Sequence, residues 1–66
     1  MIESMIDLRQ LLKGFGIFIY TGDVLGDLEL MEDELKELQE NNLLETEDYM
    51  KALLIIRAEK NKHTKK

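Results

Sequence analysis

The chain has 66 residues, no cysteine, no proline, no tryptophan and a formal net charge of -5, which leaves room for one small domain. Without cysteine there are no disulfide staples and no thiolate metal sites, the usual supports of domains this small, so packed helices must hold the fold and a dimer interface would help. A content of 44% hydrophobic and 35% charged residues supplies one modest core, and a chain this short buries only about 60% of its unfolded surface.

Residues 2–13 place Ile2, Met5, Ile6, Leu8 and Leu12 at helical spacings, with Leu11 widening the face and Phe15 continuing it. A short amphipathic helix over about 3–13 follows, closed by Gly14 as a C-terminal cap with Lys13 in the last turn complementing the helix dipole. Residues 16–20 (GIFIY) are apolar, β-branched and aromatic, too short for a helix and without a second strand to pair with. They read as a packed connector.

Thr21, Gly22 and Asp23 form a turn-and-cap cluster. Beyond it Val24, Leu28, Met31, Leu35 and Leu38 step by 4, 3, 4 and 3, which predicts a second helix over 23–41 with a stripe about 80° wide. Leu30 lies off this stripe among Asp27, Glu34 and Glu37, and Gly26 near the helix start points to a close approach by another element. Asn41 and Asn42 end the helix, since asparagine tolerates the left-handed conformation of a C-terminal cap. Thr46 then serves as N-cap of a third helix over 47–60, with Glu47 and Asp48 in its first turn. Tyr49, Met50, Ala52, Leu53, Leu54, Ile55 and Ile56 make that helix apolar over more than half its circumference, more than one neighbour can cover. Residues 61–66 (NKHTKK) have nothing to bury and read as a basic disordered tail.

The domain expectation is therefore a single unit over 1–60 with the tail beyond it, and the predicted core is Leu8, Leu12, Phe15, Leu28, Met31, Leu35, Leu38, Leu53 and Ile56. Residues 1–8 have no basic start and carry Glu3 and Asp7, unlike a secretory signal, and the longest membrane-like run, 14–20, is far short of the roughly 20 residues a bilayer span needs. A soluble cytoplasmic protein is expected.

The run GIFIYTGDVLGDLELMEDELKELQ over 16–39, together with YMKALLIIRAE from Tyr49, resembles the YqgQ-like family of short bacterial proteins of unknown function. FIYTGD and DLELMEDE are the specific stretches. The resemblance implies an all-α fold, a small, partly open bundle of three helices with a short first helix, in agreement with the periodicity. It implies no established activity and no defined catalytic residues. The family pattern carries a basic residue after the Gly-Asp turn where this chain has Val24, which weakens a phosphate contact at that position.

Residue chemistry points away from an enzyme. Glu29, Asp33 and Glu37 are four apart on one helix face and offer oxygen ligands to a hard cation, but no calcium-loop pattern and no histidine accompanies them. They read as a solvated face, with Glu32 and Lys36 as an i,i+4 pair. His63, the single histidine, lies in the lysine-rich tail with no orienting acid expected, and Ser4 is the single serine, so no nucleophile and base can be assembled. No glycine pattern of a phosphate loop occurs. No catalytic residue, metal site or cofactor is expected.

Two binding classes remain. Residues 21–50 carry eleven acids against Lys36, a net -10, whereas residues 51–66 carry six bases against Glu59, a net +5. In the first reading the chain is an interaction module that docks on a protein partner or a second copy of itself through leftover apolar surface at Phe18, Tyr20, Leu30 and Ile55. In the alternative, Arg9, Lys13, Arg57, Lys60 and Lys62 form a basic edge that tracks the phosphates of single-stranded RNA or DNA while Tyr20 or Tyr49 stacks on a base. The net negative charge disfavours that alternative, because long-range steering repels a polyanion.

Overall fold

In a computed structural model, which describes residues 2–64, three helices follow one another: α1 (Met5–Gly14), α2 (Val24–Glu40) and α3 (Thr46–Thr64). The α2–α3 pair is the main packing unit and α1 lies against α3 at its side, giving the partly open three-helix bundle that the periodicity and the resemblance imply. The molecule measures 37 × 22 × 19 Å.

The helix boundaries come from local chemistry. Ser4 caps α1 by accepting the Asp7 amide on its Oγ at 3.3 Å, and the Asp7 carboxylate accepts the Glu3 amide at 3.0 Å. This Ser-x-x-Asp box keeps Glu3 out of the helix, which starts two residues later than the apolar spacing predicts. Both α1 and α2 end in a Schellman motif. At α1 the Gly16 and Ile17 amides donate to the carbonyls of Lys13 and Leu12, and at α2 the Asn42 and Leu43 amides donate to those of Gln39 and Leu38, all at 2.9 to 3.1 Å. The left-handed residues are Gly16 (φ 78) and Asn42 (φ 61). Gly14, expected as the cap, is instead the last helical residue, because the motif needs its positive φ two positions further on.

Leu8 and Leu12 of α1, Leu28, Met31, Leu35 and Leu38 of α2, and Ala52 and Ile56 of α3 form the buried centre, joined by Ile2 and Leu44 from the flanking segments. Two predicted core residues differ. Phe15 is 41% exposed because it is the C-cap residue, where the chain has already left the helical face, and Leu53 is only half-buried on the flank of α3. Val24, the first residue of the α2 stripe, is also exposed, a turn beyond the end of the packed core.

The third helix departs most from expectation. It starts at Thr46, so Thr46 is its first residue rather than its cap, and it continues through Asn61 to Thr64 where the sequence suggested disorder. Lys62 and His63 reach back to Glu59 at 3.7 and 3.4 Å, and the Thr64 hydroxyl donates to the Lys60 carbonyl at 3.0 Å. These one-turn contacts, with basic side chains at the negative end of the helix, carry the helix past its last apolar residue. Lys65 and Lys66, the rest of the expected tail, lie outside the described residues.

Candidate functional site

The connector between α1 and α2 determines the surface. Residues 17–20 belong to no helix or strand, and their burial alternates from one side chain to the next. Ile17 and Ile19 pack against the core, whereas Phe18 and Tyr20 point outward at 73% and 87% exposure. The alternation of β-branched and aromatic residues in IFIY is a half-buried strand pattern used here without a partner strand.

Both ends of the connector are fastened. The Schellman motif holds its start, and Arg9 donates from Nη1 to the Ile19 carbonyl at 3.3 Å along its middle. At its far end the Thr21 amide donates to the carboxylate oxygens of Asp27 at 3.0 and 3.2 Å, and the Thr21 hydroxyl donates to the same carboxylate. The Thr21 hydroxyl also accepts the Asp23 amide at 3.3 Å, and Gly22 between them takes φ 93, a turn that a side chain would strain. Asp27 is 4% exposed, the one buried charged residue among the described residues. Sequence reasoning placed it on the polar flank of α2; the Thr-Gly-Asp turn four residues before the helix's second turn was the signal that a carboxylate there has donors to meet.

Gly26 also finds its explanation here. A Cβ at that position would sit 2.7 Å from Asp23 Oδ2, so the close approach comes from the capping residue of its own helix and not from another element.

Beneath the outward aromatics lies an open groove of about 250 Å³, lined by Arg9, Leu12 and Lys13 of α1, residues 17–20 of the connector, and Met31 of α2. Tyr20 and Arg9 are shared with a second hollow that includes Val24, Asp27 and Glu59. Leu30 is 45% exposed. On a helix turning 100° per residue it falls on the same flank of α2 as Asp27, which meets the connector, and as Glu34 and Glu37 one and two turns on. Ile55, expected at the same interface, is half-buried against the core and lines a different groove with Met5 and Ile6.

The basic edge is divided. Arg9, Lys13 and Tyr20 come together at the groove, but Lys60 is bound to Glu32 of α2 at 2.7 Å, with both side chains largely covered, and Lys62 pairs with Glu59. Glu32 thus pairs across the bundle instead of with Lys36. Arg57 is exposed on α3 and lines none of these grooves. Among the described residues, no three His, Cys, Asp or Glu side chains converge as a group able to hold a metal ion, and no helix is long and apolar enough to cross a membrane.

A family model described as YqgQ-like matches residues 2–62, nearly the whole chain. The chain belongs to the YqgQ-like family. This YqgQ-like chain is 41% identical over 58 residues to the uncharacterized protein YqgQ of Bacillus subtilis (strain 168), covering 88% of this chain and 82% of the relative. The match takes in the connector, the Thr21–Asp27 lock and all of the groove, so the YqgQ-like family assignment applies to the candidate surface as well as to the bundle.

Proposed function

We propose that this chain is a non-enzymatic binding module of the cytoplasm that docks on a protein surface through the apolar patch of Phe18 and Tyr20 on the connector and Leu30 on the neighbouring flank of α2. The observation that carries this reading is the outward pair of aromatics. The connector is fastened at both ends and in the middle, and yet its two largest side chains are the ones left in water. Large apolar side chains left exposed on a fastened segment are a usual mark of a protein contact. No catalytic step is part of the proposal.

A second reading rests on one specific observation: Arg9, Lys13 and Tyr20 share a groove, and neither cation has a carboxylate partner among the described residues. Single-stranded nucleic acid would use the cations for phosphates and the ring for stacking. The pairing of Lys60 and Lys62 within the fold leaves this reading with fewer contacts than the sequence suggested.

A photo-crosslinking amino acid in place of Phe18 separates the two. Docking on protein yields adducts in cells that resist nuclease, are absent when the probe replaces Arg57, and are lost in Leu30→Glu. Nuclease-sensitive adducts, with binding that weakens steeply between about 50 and 200 mM salt, would establish the nucleic-acid reading instead.

A further inference from the structure

The patch carries opposite charges on its two sides, and this bears on what covers it. Along the α1 side stand Arg9 and Lys13, one helical turn apart. On the α2 side stand Glu34 and Glu37, along the line that begins at Leu30. Neither pair has an ion-pair partner within the described residues. Phe18 and Tyr20 line the groove together with Arg9 and Lys13, and the connector that carries them is bound through Thr21 to Asp27, on the flank of α2 that also bears Leu30, Glu34 and Glu37.

Resting on the docking reading above, we infer that the partner is a second copy of this chain, joined about a two-fold axis that lies along the connector. Such an axis, in the plane of contact, carries the cationic row of one copy onto the anionic row of the other, twice over, and stacks the two connectors' aromatics at the centre. A surface with one charge sign on both sides would repel itself in this arrangement; a surface with opposite signs on its two sides is self-complementary. The available area is of the right order. At their observed exposures the rings of Phe18 and Tyr20 present roughly 300 Å². Leu30, the groove lining and the aliphatic stems of Arg9 and Lys13 bring each copy near the roughly 500 Å² that an interface of about 1,000 Å² in total requires.

The test exploits the symmetry. In sedimentation equilibrium from about 1 µM to 1 mM, the full chain moves from its 7.7 kDa mass toward twice that value. Arg9→Glu/Lys13→Glu makes both rows acidic and Glu34→Lys/Glu37→Lys makes both basic; each variant alone has its dimer dissociation constant raised about tenfold or more, and an equimolar mixture of the two forms a heterodimer. Phe18→Ser abolishes association while Leu54→Ser, on the exposed face of α3, leaves it intact. Helical circular dichroism of each variant reports the fold, and the mixture reports the interface even where Arg9→Glu loosens the connector. A wild-type chain monomeric to 1 mM, variants that do not recombine, or association lost in Leu54→Ser rather than Phe18→Ser would each overturn the dimer. A monomeric chain that still crosslinks from position 18 to a different protein would overturn the second copy as partner while leaving the docking reading standing.

Discussion

Asp27 shows how one side chain ties two segments together. Its carboxylate receives two donors from Thr21, so the otherwise unfavourable burial of a charged group becomes the clasp between connector and helix. Asp27→Ala removes the charged acceptor of the amide and hydroxyl of Thr21, itself exposed, and is expected to destabilise by about 1 to 2 kcal/mol, which in a domain of this size lowers Tm by roughly 4 to 8 °C per kcal/mol. Thr21→Val removes one donor and keeps the amide bond, so its loss is smaller. A double-mutant cycle on the pair measures a coupling well above zero; additive effects would show that Asp27 is held by something else. This contact was hidden from sequence reasoning for a definite reason. Helical periodicity put Asp27 on the edge of the polar face, and only the path of the connector, which periodicity does not describe, brings Thr21 over it.

Each helix terminus has its own chemistry, and that chemistry explains which boundaries could be read in the sequence. The Asn41–Asn42 stop was legible because asparagine signals a left-handed residue, and Asn42 has it. The Gly14 stop was misplaced by two positions because two glycines follow α1 and only the Schellman hydrogen bonds select Gly16. The two motifs make opposite predictions. Gly16→Ala forces a Cβ into positive φ and should cost about 1 kcal/mol, whereas Asn42→Gly removes that same penalty and should gain up to about 1 kcal/mol, both read by urea denaturation at unchanged m-value. The run beyond Lys60 was the least legible part. Composition said solvent, but Glu59 set one turn before Lys62 and His63 is a helical spacing, and the cross-bundle Glu32–Lys60 pair anchors the turn on which they build.

For the molecule as a whole, the α2 stripe was the most legible feature, and Leu28, Met31, Leu35 and Leu38 are all buried as it requires. A total stability of about 3 to 10 kcal/mol is expected for 66 residues at typical per-residue values. Leu35→Ala, which opens a cavity at the centre of the bundle, should cost about 2 to 5 kcal/mol and leave a large fraction of chains unfolded at 37 °C, seen as lost helical ellipticity. Phe18→Ser, by contrast, should leave the monomer's helical signal unchanged, because that ring contributes nothing to the interior. The outward half of the connector was not legible, because a run of apolar residues says that burial is needed somewhere without saying which side of the chain receives it. The Thr21–Asp27 clasp also serves as a gauge. Among the described residues the amides of Phe18, Ile19 and Tyr20 have no protein acceptor, while that of Thr21 has the carboxylate. In hydrogen–deuterium exchange Thr21 should therefore be an isolated slow amide beside three fast neighbours, and its slowing relative to a free amide measures the free energy needed to lift the connector off a bundle that stays folded beneath it.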